Sequence, residues 1–557
     1  MMKRIYILMT MAVVLCASAV LADVTVSKVF GDHMVLQRDI EVPVWGWAEP
    51  GEEATVEFAG QKKSAKADKT GKWMVRLAPL KASSKGGALV VRGPSFAKAS
   101  SSAEATADMT AGMQGAGVTF TNVVVGEVWL CSGQSNMSWT MGRCASILKE
   151  EMDTADFPLI RHIAVGGGFS VKKASDLPDG SAWKVCTPKS VGGFTAVGFF
   201  FGRKIHQETD LPVGLIHSAV GGTQIEPWTA AEGFALVPEL EHLRKQTAGA
   251  EETYREEMGE AVGQVRRWIA DTEKALETGD ELYMPTLPSH PLGKGSRPTM
   301  LFNPKINPLV PYAMRGAIWY QGEYNGGEGI SYLHKTRALV EGWRTVWGQK
   351  AAKKGAPGRD FPFYWVQLAN YQNPGENPEG GDGWARIRMA QTKALEIKNT
   401  GMAVAIELAD EANPGDIHPK NKKDVGERLA LWALAKDYGK KIAYSGPLYK
   451  SMTVKGSDAI ISFEHIGNGL MVGEKTGIEP VQEVMNGALK RFAISGEDGT
   501  WHWADAKIAG NKVIVSSDEV ATPVAVRYAY TMNPGGCNLY NKAGLPASPF
   551  TTDEHWE

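Results

Sequence analysis

Downstream of Thr121, short apolar runs alternate with amphipathic stretches of helical period, and this alternation leaves few folds open. The apolar runs are 123–130, 213–219, 317–320, 363–368 and 402–408; helical periodicity falls near 194–208, 332–347, 384–398 and 423–438. A strand that is apolar at nearly every position is buried on both faces, and the helices between such strands supply the cover. The pattern therefore predicts an α/β domain over 121–441, built on a parallel sheet with helices on both faces.

The flanks read differently. Residues 23–120 hold short β segments with Pro/Gly turns between them, such as Val42-Pro43-Val44-Trp45-Gly46-Trp47 followed by Glu49-Pro50-Gly51. These predict a small antiparallel β-sandwich-like domain. An Ala/Ser/Gly-rich stretch at about 93–117 reads as a flexible insertion. A second insertion, about 232–297, is charged and helical over 251–277 and Pro/Gly-rich after that, which predicts a solvated helical hairpin. β segments return over 442–557 as a C-terminal β domain.

At 557 residues the chain exceeds one ordinary core, and domains of roughly 150 residues agree with this division. Lys plus Arg number 60 against 62 Asp plus Glu, so no global field draws the chain to nucleic acid or to an anionic membrane. Residues 1–22 have the form of an export signal. Lys3 and Arg4 precede an apolar run, and small residues lead to a cleavage point after Ala22, with too short a run for a membrane span. Export to a periplasm or beyond is the expectation. Cys131, Cys144, Cys186 and Cys537 remain, too few for a disulfide scaffold and without a zinc-like C-x-x-C pair; Cys131 with Cys144 is the pair considered for oxidation.

Chemistry-bearing residues collect after the carboxyl ends of the sheet strands, where open α/β sheets bind ligands. Ser135 follows 123–130, Gly221-Gly222-Thr223 follows 213–219, Gln321-Gly322-Glu323 follows 317–320, and Asp416-Ile417-His418 lies beyond 402–408. Taken alone, Ser135 is a helix N-cap. With His418 as a base it becomes a nucleophile, since a hydroxyl attacks an ester only when a neighbour takes its proton. The oxyanion of the tetrahedral intermediate needs donors, for which backbone N–H groups of Ser135 and of Gly221 or Gly222, with the Gln321 amide, are the candidates. Glu323 reads as structural.

Four ordered segments, Gly133-Gln134-Ser135-Asn136-Met137, Gly221-Gly222-Thr223-Gln224-Ile225-Glu226-Pro227-Trp228, Trp319-Tyr320-Gln321-Gly322-Glu323 and Asp416-Ile417-His418-Pro419, resemble the sialate O-acetylesterase family of the SGNH hydrolase superfamily. The resemblance extends from Phe30-Gly31-Asp32-His33-Met34-Val35-Leu36-Gln37-Arg38 to Asn538-Leu539-Tyr540-Asn541. It implies a three-layer α/β/α sheet domain of SGNH type and a serine esterase that removes acetyl groups from sugar hydroxyls, with no metal or organic cofactor. It places the nucleophile on Ser135, the base on His418, and Gly222 and Gln321 in the oxyanion hole. The superfamily's acid usually stands three residues before the histidine, where this chain has Gly415; Asp416 or a backbone carbonyl then orients His418. O-acetylated sialic acid is the first substrate expected, its carboxylate calling for an arginine among Arg143, Arg386 and Arg388. Acetylated xylan or another polysaccharide is the alternative. A carbohydrate-binding protein without catalysis ranks lower, because Ser135, Gln321 and His418 are all present.

Overall fold

The computed structural model describes residues 24–93, 117–293, 297–350, 358 and 360–553. The export-signal reading of 1–22 and nearly all of the 93–117 insertion fall outside them. The protein is a mixed α/β structure with several sheets.

Seven strands form its centre: β1 (Val118–Gly133), β2 (Phe157–Ala164), β3 (Lys184–Cys186), β4 (Val213–Ala219), β5 (Gly316–Tyr320), β6 (Phe363–Gln367) and β7 (Thr400–Val404). They lie in the order β3-β2-β4-β1-β5-β6-β7, parallel throughout except for β3 at one edge. Both β5 and β6 are buried at every residue, which explains why they are apolar at every position but Gln367.

Successive side chains take opposite faces of this sheet. On one face Trp129 packs edge-on against Phe201 of α1 (Ala196–Thr209), and Tyr364 meets Trp432 of α5 (Lys422–Lys436). The other face carries Trp319 against Trp343 of α3 (Ile330–Trp347), while the Trp365 indole donates to Gln391 O on α4 (Gly383–Lys393). In the register of the three middle strands, Gly133 pairs with both Ala219 and Tyr320. β1, β4 and β5 therefore end at one level, and the residues that follow them share one edge.

Three expectations differ from the structure. The first sheet strand, read as 123–130, runs from Val118 to Gly133. Its early part pairs antiparallel with Ser83–Arg92 and parallel with Val35–Gln37, so the N-terminal β segments join the central sheet through one continuous strand. The helical part of the 232–297 insertion is not a hairpin. It is one helix, α2 (Glu241–Thr278), ending at Gly279 with a left-handed φ of 78°; the next proline comes after it, at Pro285. Finally, the four cysteines are free. Cys131 faces α1, where a β-carbon on Gly198 would lie 2.9 Å from its sulfur.

A buried ion pair fastens the N-terminal segment to the sheet. Glu127, inside β1, accepts from Arg315 Nε at 2.6 Å and Nη2 at 3.0 Å, and from Gln37 Nε2 at 3.1 Å, while Arg38 Nε completes the cluster. Removing one partner of a buried pair strands the other charge, at about 3–5 kcal/mol. Glu127→Ala is expected to lower the denaturant midpoint by that equivalent; a midpoint at the wild-type value would contradict the account.

Candidate active site

The site begins at a close approach of two strands. A β-carbon on Gly133, whose φ is 138°, would lie 2.1 Å from Tyr320 O, so only glycine fits there. Gln134 N–H donates to the same carbonyl at 2.9 Å, and the chain turns into the short helix Ser135–Ser138. Ser135 is the first residue of that helix, half-buried, and no side chain caps the turn. Its hydroxyl is thus not spent on the capping role that its sequence context allows.

The turn after β4 lies against Ser135. A β-carbon on Gly221 would sit 3.3 Å from Ser135 Cβ, and Gly222 is exposed with a left-handed φ of 66°. Among the described residues, the backbone N–H groups of Ser135, Gly221 and Gly222 meet no protein acceptor. They are unsatisfied donors on the two turns that meet at Ser135 and Gly221.

His418 comes from the loop between β7 and α5. Its ring stacks on Trp139, centroids 4.7 Å apart and planes 15° from parallel. Asp416 Oδ1 accepts from His418 N at 3.0 Å and lies 3.2 Å from Nδ1. A carboxylate at Nδ1 fixes the proton there and leaves Nε2 as the basic nitrogen. Asn136, beside Ser135, donates through Nδ2 to Ile417 O at 3.1 Å, and that bond ties the serine turn to the histidine loop across 281 residues.

Asn136 also joins two charged side chains, Glu323 and Lys422. Its Nδ2 also donates to Glu323 Oε1, and its Oδ1 accepts from Lys422 Nζ. Burial raises the Glu323 carboxyl above the usual range and pushes the Lys422 ammonium down to about 8. Lys422 Nζ also sits 5.7 Å from the centre of the Trp139 ring and 5.4 Å from that of Tyr320. Burial first, and then the Lys422 charge, hold His418 below the ordinary imidazole range against the opposing pull of Asp416.

Not every expected residue is placed as its role requires. Gln321 is fully buried, and its Nε2 donates to Asn325 Oδ1 at 2.7 Å and Thr223 O at 3.1 Å, with Gln134 Oε1 at 3.3 Å. An amide has two hydrogens, and both are committed within the protein. Gln321 therefore buttresses the two turns that flank Ser135 and has no N–H left for an oxyanion. Arg388 is buried as well, donating to the carbonyls of Leu368, Ala369, Thr531 and Met532, so it is no pocket arginine. Arg386 lies half-buried on α4, where its charge acts on Tyr530. Of the three, only Arg143 stands beside the His418 stack, 5.9 Å from the centre of the Trp139 ring.

Trp139, Asn136 and Lys422 are the members that sequence reasoning missed. Asn136 lies inside the Gly133–Met137 segment but reads there as a cap. Lys422 sits in the run Lys420-Asn421-Lys422-Lys423, which reads as a solvated surface.

Known proteins resemble this chain over nearly its whole length. The class described as carbohydrate esterase, sialic acid-specific acetylesterase, matches residues 125–250. Sialate O-acetylesterase of Mus musculus is 30% identical over 550 residues, covering 93% of this chain and 92% of that protein. The Homo sapiens protein of the same name is 28% identical over 556 residues, at 93% and 90% coverage. A carbohydrate acetylesterase from Xanthomonas citri superposes with a TM-score of 0.73 at 34% identity, over 95% of this chain and all of that one.

The buried polar hub generates a stability expectation. Asn136→Ala leaves Glu323 and Lys422 without their shared partner, which costs about 1–3 kcal/mol per buried group left unpaired. Chemical denaturation should show a loss of that order; unchanged stability would mean the hub is not formed as described.

Proposed function

The chain belongs to the sialate O-acetylesterase family, and on that premise we propose that it is an exported serine esterase that removes O-acetyl groups from sialic acid. That it is a carboxylic ester hydrolase follows from the family itself. We assign 121–441 to an SGNH-type three-layer esterase domain, flanked by β-sandwich-like domains over 23–120 and 442–557. Export is assigned to the signal-like segment 1–22, on its sequence pattern alone.

The observation that carries the mechanism is the joining of the Ser135 turn to the His418 loop by the Trp139–His418 stack and the Asn136–Ile417 bond. His418 Nε2 takes the Ser135 hydroxyl proton as Oγ bonds to the acetyl carbonyl carbon. The oxyanion is received by the unsatisfied N–H groups of Ser135 and Gly222, with Gly221 alongside. Collapse breaks the bond to the sugar oxygen, which leaves with the proton returned by His418. Water, deprotonated by His418, then attacks the acetyl-serine; the bond to Oγ breaks, acetate leaves, and His418 returns the proton to Ser135. Asp416 holds the Nδ1 proton and favours the imidazolium formed in each step. This role is supported by the 3.2 Å approach of its carboxylate to Nδ1. Gln321 acts as a positioning residue. No metal or organic cofactor has a part in these steps.

A second reading keeps the chemistry and changes the sugar to acetylated xylan or another polysaccharide. The Xanthomonas citri relative favours it, being named only for carbohydrate acetyl esters.

Acetate release from O-acetylated sialic acid and from acetylated xylan separates the two. Ser135→Ala should lower either rate by about 10³-fold or more, and a rate unchanged in that variant would remove Ser135 from the mechanism. The base must be neutral to act, and His418 is held below the ordinary value of 6.5. The acid limb of kcat/KM should therefore fall below pH 6.5, with a flat profile from there through neutrality. Lys422→Met, which removes a charge that disfavours the imidazolium, should move that limb to higher pH. A limb that stays in place or moves to lower pH would contradict the assignment.

A further inference from the structure

The rim of the site carries positive charge that the ester chemistry does not use. Arg143 lies in the turn Met141–Cys144, exposed, with its guanidinium carbon 5.9 Å from the centre of the Trp139 ring. Trp139 is also the ring on which His418 stacks, so a single indole supports both the imidazole and the guanidinium. Lys420, half-buried, comes two residues after His418, and its charge reaches the Cys144 thiol, the next residue after Arg143. Among the described residues, neither Arg143 nor Lys420 has an ion pair or a side-chain hydrogen bond.

The nearby acids are already engaged. Asp416 is held by His418, and Glu323 is buried beneath Asn136 with Lys422 close by. The other arginines considered for a substrate role do not reach this place. Arg388 is spent on backbone carbonyls, and Arg386 acts on Tyr530. Two cations without counter-charges therefore stand beside the Trp139–His418 stack, at the proposed base.

We infer that Arg143, assisted by Lys420, forms a subsite for a carboxylate carried by the substrate, next to the ester-cleaving centre. The inference rests on the sialate reading and sharpens it, because a sialic acid has a carboxylate that xylan acetate lacks. An arginine lying against an aromatic ring keeps its planar donor fork available, and that fork matches a carboxylate bidentately. A neutral sugar ester gains nothing from the charge. The carboxylate contact also orients the sugar, so its loss should appear mainly in KM.

The test compares O-acetylated sialic acid with its carboxyl methyl ester, an uncharged probe with the same acetyl group. The readout is the ratio of kcat/KM for the acid to that for the methyl ester, taken within one protein preparation so that partial misfolding cancels. Wild type should favour the acid, and Arg143→Gln should lower the ratio by about 10–100-fold, as expected for a charged hydrogen-bonded contact. Lys420→Gln should lower it less, and Arg143→Lys should restore part of it. Raising the salt concentration should lower the wild-type ratio as well, giving a reading that needs no variant. A wild-type ratio near one, or a ratio insensitive both to Arg143→Gln and to salt, overturns the subsite and leaves the sialate reading intact. A wild-type enzyme that cleaves neither form overturns the sialate reading, and the subsite falls with it.

Discussion

Gly133 lacks a side chain, and Tyr320 O occupies the space where one would stand. This contact between the ends of β1 and β5 is the constraint on which the rest of the site depends. It lets Gln134 N–H reach the same carbonyl, which bends the chain directly into the helix that begins with Ser135. It also brings the residues after Tyr320 beside that helix, so Gln321 and Glu323 brace the serine turn from the neighbouring strand. The Gly221–Gly222 turn closes on the other side, because β4 ends at the same level. Three parallel strands that stop in register thus convert distant segments into one cluster at the serine turn.

Joining that cluster to the histidine is an electrostatic problem with a polar solution. Asn136 meets a carboxylate, an ammonium and the Ile417 carbonyl at once, and its amide is the one neutral group able to donate and accept among them. Asn136 is the partner that Glu323 and Lys422 share, and a charged group withdrawn from water is costly when its partner is lost. The arrangement holds the His418 loop in place and puts a positive charge near the imidazole. The His418 imidazole is held below its ordinary range, with the Asp416 carboxylate 3.2 Å from its Nδ1. The residues that tie the two segments together thus also tune the His418 imidazole.

The sheet was legible in the sequence because double-sided burial leaves a largely apolar signature in β4, β5 and β6. The continuity of β1 was not. Its first residues, Val118-Thr119-Phe120-Thr121, alternate as a strand wetted on one side does, and from Val123 on every residue is buried, Glu127 included. The change of pattern marks a change of neighbours within one strand, and from sequence it looks like a boundary. Helix α2 was legible as helix but not as a single one, because a mostly solvated helix carries little tertiary patterning to show where it turns. At the site, Ser135, Gly222, Asp416 and His418 stand where strand-end logic put them. Gln321 could not be resolved that way, since a strand-end amide looks the same whether it meets a substrate or Asn325 and Thr223. Lys422 was hidden by the lysines around it, which gave no sign that its ammonium lies beneath an asparagine and between two rings.

The central claim is that Ser135 is a hydroxyl activated by His418, and covalent trapping tests it most directly. The protein would be treated with a fluorophosphonate, which bonds to activated serines, and the adduct located by peptide mass spectrometry in wild type and in His418→Gln. The account predicts one adduct, on Ser135, formed in wild type and strongly slowed when His418 is replaced. An adduct on another residue, or labelling of Ser135 at equal rates in the two proteins, would contradict it.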